Sequence, residues 1–408
     1  MQIPLFSNLE ELVSQIDQIL ANYFPAIEKI RSRNFHRIHH SIIEAEISDI
    51  DLASSSGYGY SDWGRDKIEK VFSKVFGGED SLVRPQIVTG TQALYLALMG
   101  SLAFKRAGKS RGFLTLTGQP YPTLLPTLEL IKGQGINIIV ENILENPLDD
   151  FISEYKEVEF IYLQRSKGYS IRESLGINEI ENIISTVRQH CENDPVIIVD
   201  NCYSEFVSDK EPCHLGADIV AGSLLKNPGG GIASTGGYLV GKKDIINKVV
   251  DFLYGPGLGK EVGPVFNKRD ILLGLYLSPL IVSESLKGVV FGSHLFTNLG
   301  YKVLPRPGEE LSDNVLSIVL NSKELLEKAL KTVQKAGPLN PRATPAGSAL
   351  PGYAQDVIMA GGTFTPGSSI ELSADALLTP PWVLCLQGGF YYEHYRETCI
   401  NIAKVLVD

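Results

Sequence analysis

An acid and an amine each stand at the end of an apolar run in this sequence. Asp200 follows the β-branched run 196–199, and Lys226 follows the run 221–225 and precedes the glycines 229–231. Ligands bind beyond the carboxyl ends of strands in open α/β sheets, so both side chains are predicted to face one crevice. Glycines let the main chain approach a ligand closely. A helix cap or turn at Asp200 and a solvated loop lysine at Lys226 are the alternatives.

A third segment has the pattern of an anion site. Residues 86–88 predict a short strand, Gly90-Thr91 a turn, and residues 91–105 a buried helix that is apolar nearly all round. Amides at a helix N-terminus point outward, and the helix dipole favours a negative charge there. Thr91 adds a hydroxyl donor, although threonine is also an ordinary N-cap residue.

These three features together match what pyridoxal 5'-phosphate requires of a protein. The phosphate would lie at the helix start, and Lys226 would form a Schiff base with the aldehyde. Asp200 would keep the ring nitrogen protonated, so that the ring acts as an electron sink. The residues therefore predict an enzyme that uses this cofactor.

Composition narrows the class of protein. The 408 residues predict two or three domains, and 44% hydrophobic with 21% charged residues predicts a packed core. A net charge of -10 without long basic stretches argues against nucleic acid or membrane as a partner. The sequence shows no secretory signal and no apolar run of roughly 20 residues, so a soluble, cytoplasmic protein is predicted.

The five cysteines contain no CxxC pair, which favours free thiols in a reducing compartment. Cys213-His214 could form half of a metal site, but no second pair has ligand spacing. No metal is therefore predicted.

The pattern of elements predicts an α/β architecture with a second, smaller α+β part. Short apolar runs alternate with helices between about residues 67 and 255, which indicates a mixed, mostly parallel, seven-stranded sheet covered on both faces. The seven runs are 86–88, 113–116, 136–140, 159–163, 196–199, 218–221 and 237–240.

Both ends of the chain depart from this alternation. Residues 7–34 predict one amphipathic helix. After residue 270 the sequence predicts a long helix over 270–291, then strands at 301–304, 315–320, 363–372 and 380–387, with helices at 323–336 and 393–407. We expect an N-terminal arm (1–66), a large cofactor-binding domain (67–269) and a small C-terminal domain (270–408).

Four longer motifs resemble a known family. They are GYGYSDWGRD at 57–66, QRSKGY at 164–169, DNCYSEF at 200–206 and GSSIELSAD at 367–375. They are similar to the aluminium-resistance proteins, a methionine gamma-lyase-like and cystathionine beta-lyase-like family, and the similarity covers nearly the whole chain. The resemblance implies fold-type I, the aspartate-aminotransferase architecture, in homodimers or homotetramers with shared active sites. It also implies β- or γ-elimination of a sulfur or oxygen substituent from an amino acid.

The resemblance also assigns cofactor contacts. Lys226 matches the Schiff-base lysine, which also shuttles protons, and Asp200 matches the partner of the ring nitrogen. The remaining matches concern the phosphate, and they comprise the turn Gly90, Thr91 and Gln92 and the hydroxyl of Ser223. Gln92 stands where family members usually have histidine.

Other residues are assigned less directly. Tyr121 matches the aromatic residue that stacks on the ring and can act on the leaving group, with an ordinary core tyrosine as the alternative. Arg165 corresponds to a group placed over the ring oxygen. Tyr60 and Arg65 resemble an element that a neighbouring subunit supplies to the phosphate, where a forked guanidinium suits an oxyanion. Packing of the N-terminal arm is the alternative for these two.

The substrate side departs from the family pattern. Relatives carry an arginine for the substrate α-carboxylate near the position of Thr379. We expect Arg342 to replace it and Tyr58 to contact the substrate, or else the substrate differs from an ordinary α-amino acid. This departure concerns the substrate class rather than the cofactor.

The motifs of two other enzyme classes are missing from the sequence. A nicotinamide oxidoreductase requires G-x-G-x-x-G between a strand and a helix, and a P-loop requires GxxxxGK[ST]; neither pattern is present. A pyridoxal-phosphate transferase that replaces the β or γ substituent, and a non-catalytic protein that binds the cofactor, remain open.

Overall fold

The computed structural model describes residues 9–105, 112–144 and 154–407. Its N-terminal segment forms two helices, α1 (Leu9–Leu20) and α2 (Phe24–Glu44), where the sequence predicted one. Pro25 lies in the first turn of α2, where the missing amide hydrogen costs no helical bond, so it starts a second helix. Residues 7 and 8 of the predicted helix lie outside the described residues.

The larger sheet has seven strands in the order β1-β7-β6-β5-β4-β2-β3. The run β3-β2-β4-β5-β6 is parallel, and β7 and β1 are antiparallel to their neighbours. The mixed, mostly parallel sheet is thus confirmed. Its strands are β1 (Asp80–Arg84), β2 (Gly112–Thr115), β3 (Asn137–Val140), β4 (Phe160–Gln164), β5 (Val196–Asp200), β6 (Ile219–Ser223) and β7 (Gly237–Gly241).

Apolar layers cover both faces of this sheet. Successive residues of β5, Ile197 and Ile198, fall into two different hydrophobic clusters, because neighbouring side chains of a strand point to opposite faces. Helix α4 buries eight of its fifteen residues and packs against α7 and β6. The helices of this part are α3 (Trp63–Phe76), α4 (Gly90–Phe104), α5 (Leu125–Gly133), α6 (Ile177–His190) and α7 (Lys243–Tyr254).

A second, antiparallel sheet of five strands follows, in the order β10-β11-β12-β9-β8. Its helices α9 and α10 pack against each other, which confirms an α+β C-terminal part. The elements are β8 (Lys302–Leu304), β9 (Val315–Val319), α9 (Lys323–Ala336), β10 (Val357–Ala360), β11 (Ser373–Leu377), β12 (Val383–Gln387) and α10 (Tyr392–Val407).

Two predicted strands are wrong. The first strand of the large sheet is β1, and Ile87 instead donates its amide to the Arg84 carbonyl in a turn that contains Pro85. Residues 363–372 are irregular, because Pro366 has no amide hydrogen for a ladder and Gly367 has a φ of 82°. The strands β10 and β11 lie on either side of that segment.

The long helix α8 (Lys268–Asn298) connects the two sheets along the chain. Among the helices of the described residues it alone is long and apolar enough to cross a membrane, and 72% of its apolar window is buried. Helices α1, α2 and α10 pack against it. It therefore has the surroundings of a core helix.

A buried ion pair joins the loop after β4 to the start of β9. Lys167 Nζ lies 2.9 Å from Asp313 Oδ1 and donates to the Val315 carbonyl at 2.7 Å, and both charged side chains are 2% exposed. The hydroxyls of Ser166 and Ser174 donate to Asp313 Oδ2 at 2.7 and 2.6 Å. This pair fixes one sheet relative to the other.

Asp313→Ala should lower the free energy of unfolding by about 3–5 kcal/mol, because the variant leaves the buried Lys167 ammonium without an opposite charge. Urea unfolding followed by circular dichroism measures the change. As a control, Glu327→Ala removes one partner of the exposed Lys323–Glu327 pair, and should cost less than about 1 kcal/mol. Equal effects of both variants would contradict a structural role for the buried pair.

Candidate active site

A cavity of about 330 Å³ lies at the carboxyl edge of the large sheet, between it and the second sheet. This volume falls within the range of about 300–1,000 Å³ that small-molecule sites occupy. Strands β4, β5 and β6 are parallel neighbours, so Gln164, Asp200 and Ser223 end them at the same edge. Lys226 follows three residues after β6, and both Asp200 and Lys226 line the cavity.

Asp200 is held by two donors. The Cys202 amide donates to Oδ1 at 3.0 Å, and the Tyr162 hydroxyl donates to Oδ2 at 3.4 Å. Burial raises the pKa of Asp200, and the nearby Lys226 ammonium partly lowers it. The carboxylate is therefore oriented for a cationic or protonated partner in the cavity.

The Lys226 amine lies over an aromatic ring. Its Nζ is 3.7 Å from the centroid of Tyr203, a cation–π distance. Burial acts to lower the pKa of Lys226, but the Cys202 thiol, the Tyr203 phenol and the Asp200 carboxylate outweigh it, so the net shift is upward. Tyr203 itself has a φ of 70°, which is uncommon for a residue with a side chain.

The glycines after Lys226 serve packing rather than ligand approach. A Cβ on Gly229 would stand 1.7 Å from the Leu224 carbonyl oxygen, and one on Gly230 would stand 2.5 Å from the Gly274 carbonyl oxygen of α8. Gly231 has a φ of 68°, and its Cβ would meet Phe390. The sequence predicted that these glycines let the main chain approach a ligand, but in the structure they let it approach other parts of the protein.

The N-terminus of α4 faces the cavity through Gly90 and Thr91. Thr89 caps the helix by accepting the Gln92 amide at 3.0 Å, and Gln92 Oε1 accepts the Val88 amide at 2.9 Å. Gln92 is thus used within the turn. A Cβ on Gly90 would stand 3.4 Å from Cys202 Sγ and 3.6 Å from the Ser223 Cβ, so this turn lies beside the end of β6.

Tyr121 lines the cavity together with Tyr353, and it also packs against Tyr169, which does not line the cavity. The Tyr121 ring stacks on Tyr169 at 5.5 Å between centroids, and Tyr353 donates its hydroxyl to the Tyr121 hydroxyl at 2.8 Å. Burial raises the pKa of Tyr121 well above its usual value. Tyr353 comes from the loop before β10, and only the folded chain brings it to Tyr121.

Asp375 of β11 is a further cavity residue, and it lies within a motif quoted above without being assigned a role. Its Oδ2 accepts a hydrogen bond from Gln387 Nε2 at 3.0 Å. Burial raises the pKa of Asp375 to about 6. Ser368 also lines the cavity, and its buried Oγ has no hydrogen-bond partner among the residues described.

Arg165 lies beneath the cavity and does not line it. Its guanidinium donates to Asn201 Oδ1 at 2.7 Å and to the Ser204 carbonyl at 3.3 Å, and it lies 3.7 Å from Glu211. The arginine is fully buried. Within this chain its charge is directed toward Glu211 rather than toward the cavity.

Five more residues of interest lie away from this cavity. Arg65 donates to the carbonyls of Gly59 and Glu261 at 3.0 Å. The others are Tyr58 (75% exposed), Tyr60 (61% exposed), the exposed Arg342, and Thr379, which accepts the Trp382 amide in the turn before β12. The roles predicted for Tyr60 and Arg65 involve a second subunit and stay predictions, as do those of Tyr58 and Arg342.

Asp375→Asn should change how stability depends on pH. The Asp375 pKa rises from 3.8 to about 6 on folding, so the native state binds more protons within that window. Stability of the parent protein should therefore fall as pH rises through the window, by about 3 kcal/mol, and the variant should lack this decline. Urea unfolding at pH values across the window measures both. Superimposable pH profiles would contradict the raised pKa.

Comparisons with known proteins agree with this architecture. The methionine gamma-lyase family model matches residues 9–407. YnbB of Bacillus subtilis (strain 168) is 40% identical over 412 residues, which cover 98% of this chain and 96% of that protein. A carbon-sulfur lyase involved in aluminum resistance from Clostridium novyi NT is 36% identical, with a TM-score of 0.89 and coverage of 98% of this chain and 96% of that one.

A more distant structure concerns the fold alone. The pyridoxal-5'-phosphate dependent protein YhfS from Escherichia coli is 16% identical, has a TM-score of 0.62, and covers 93% of this chain and 96% of its own. The predicted fold-type I architecture is thereby confirmed, and so is the resemblance read from the four motifs. From the match along nearly its full length, this chain belongs to the methionine gamma-lyase family.

Proposed function

We propose that this protein is a pyridoxal-phosphate-dependent carbon–sulfur lyase that eliminates a β or γ substituent from an amino acid. Membership of the methionine gamma-lyase family supports the reaction class. The observation that carries the proposal is the cavity where a buried amine, Lys226, and a buried acid, Asp200, meet beside a helix N-terminus. Elimination of an oxygen substituent at the same site is the alternative.

The residues present fit the cofactor. The start of α4 offers outward amides for a phosphate, and Thr91 lines the same end of the cavity. A side chain on Gly90 would enter the space beside Cys202, so glycine keeps that end open. Asp200 would pair with the ring nitrogen and Ser223, at the end of β6, with the phosphate. Gln92, which caps the turn, would act by shaping it.

Lys226 would hold the cofactor covalently through Nζ. When bound, pyridoxal phosphate withdraws electrons from the substrate α-carbon, which makes its proton and then the β or γ substituent easier to remove. Once free of the cofactor, Nζ of Lys226 would take the α-proton and return it to another atom of the substrate in a later step. The Tyr203 ring at 3.7 Å limits where this amine can lie.

Tyr121 is placed to act on the leaving group. Burial raises the pKa of its phenol, so the hydroxyl keeps its proton near neutral pH. A protonated phenol in contact with the Tyr353 hydroxyl can donate a proton to the departing sulfur. Its stack with Tyr169 fixes the ring plane.

The working form is proposed to be a soluble, cytoplasmic homodimer or homotetramer. Tyr58, Tyr60 and Trp63 expose large aromatic surfaces on the segment that carries Arg65. Exposed apolar clusters of this kind are typical of subunit contacts. In such an assembly Tyr60 and Arg65 would reach the phosphate of a neighbouring subunit. We propose the division into 1–66, 67–269 and 270–408 for each subunit.

Lys226→Ala should abolish the visible absorbance of the bound cofactor, because the variant lacks the amine that attaches it. The visible absorbance of the purified protein, where a lysine-bound cofactor absorbs, measures this. Lys243→Ala, at an exposed lysine, is the matched control and should retain the parent spectrum. An unchanged spectrum in Lys226→Ala would rule the assignment out.

Asp200→Ala should retain some bound cofactor but lower turnover by roughly a hundredfold or more, since the ring nitrogen loses the charge that stabilises the reacting state. Turnover is measured as keto acid and ammonia released from a panel of thioether amino acids. Full activity in this variant would contradict the role of Asp200.

The same panel separates the remaining alternatives. A thiol added as a second nucleophile and incorporated into the product would indicate a replacement transferase. Spectral change on binding without turnover of any panel member would indicate a non-catalytic cofactor-binding protein. Release of keto acid and ammonia without added nucleophile supports the lyase.

A further inference from the structure

Three charged side chains line the cavity among the residues that the structure describes. They are Asp200, Lys226 and Asp375. The proposed function uses the first two for the cofactor, so Asp375 is left to face the substrate. No arginine lines the cavity in this part of the chain, and Arg342 is exposed elsewhere.

One oxygen of the Asp375 carboxylate accepts a hydrogen bond from a described residue, and the other does not. Gln387 at the end of β12 donates to its Oδ2 at 3.0 Å, and β11 and β12 are paired strands of one sheet. Its other oxygen, Oδ1, has no donor among the residues described. A largely buried carboxylate with a free oxygen is costly unless a donor or a positive charge meets it.

A second polar atom that lines the cavity is also without a partner among the described residues. Ser368 is 3% exposed, lines the cavity, and its Oγ has no hydrogen-bond partner in the described chain. A hydroxyl can accept from a donor as well as donate. A carboxylate oxygen and a hydroxyl together match an ammonium, which has three N–H donors and one positive charge.

We propose that Asp375 binds a second ammonium group of the substrate, so that the enzyme acts on diamino compounds in preference to amino acids with an apolar side chain. The inference rests on the proposed function, because the first amino group is the one that reacts at Lys226. A carboxylate is the poorer match for the surroundings of Asp375, because Asp375 would repel it and no arginine among the described residues lines the cavity to receive it. The sulfur-bearing arm of the substrate then carries the additional amine.

The test compares two ligands of equal carbon number on the cofactor-loaded protein. Ornithine and norvaline share the α-amino and α-carboxylate groups, and only ornithine has a distal amine. Neither carries a sulfur or oxygen leaving group. Isothermal titration calorimetry gives the Kd of each, and the visible spectrum of the bound cofactor confirms that each ligand enters the site.

In the parent protein we expect ornithine to bind roughly tenfold or more tightly than norvaline. In Asp375→Asn, which keeps the shape and removes the charge, the two Kd values should come within about twofold, with norvaline little changed. Asp356→Asn removes an exposed carboxylate outside the cavity, and it should keep the parent preference.

Equal affinity for both ligands in the parent protein, or a preference that persists in Asp375→Asn, would overturn the inference. The parent measurement decides the matter even where the variant fails to fold. Absence of a cofactor spectrum in the parent would instead count against the proposed function. A normal cofactor spectrum without a preference for ornithine would contradict only the proposed binding of a second ammonium group by Asp375.

Discussion

Two opposite charges buried at one edge of a sheet are the constraint on which this structure depends. Neither Asp200 nor Lys226 is stable in an apolar interior without compensation, since a buried charge must be paired or hydrogen-bonded. Here the Cys202 amide and the Tyr162 hydroxyl compensate the charge of Asp200, and the Tyr203 ring compensates that of Lys226. The parallel order β4-β5-β6 is what brings these groups to a common edge.

A second layer of polar contacts supports that edge from below. Asn201, next to Asp200, accepts from Arg165 and donates to Glu211 at 2.9 Å. Asn227, next to Lys226, donates to the Glu205 carbonyl at 2.9 Å and accepts from Asn314 at 3.0 Å. The neighbours of both key residues are therefore fixed by buried hydrogen bonds, which restrict the backbone that carries the acid and the amine.

The sequence predicted those parts of the fold and site that depend on local pattern. Short apolar runs predicted β2 to β7, and helix α9 was predicted with the observed ends. In the structure Ser322 caps this helix. The sequence did not predict the polar strand β1, because its place at the sheet edge depends on pairing with the distant β7. Tyr353 and Asp375 likewise reach the cavity only through long-range packing, and Arg165 is buried beneath it for the same reason.

The close contact between the glycine turn and α8 has an implication for how the molecule could vary. The carbonyl of Gly274 lies where a side chain on Gly230 would be, and the carbonyl of Gly229 lies where a side chain on Gly274 would be, so the two segments exclude methyl groups from each other. Helix α8 thereby constrains the main chain that follows Lys226. Substitutions that aim to change the size of the cavity are better placed on strands β10 to β12. They would lie away from the close contact between the glycine turn and α8.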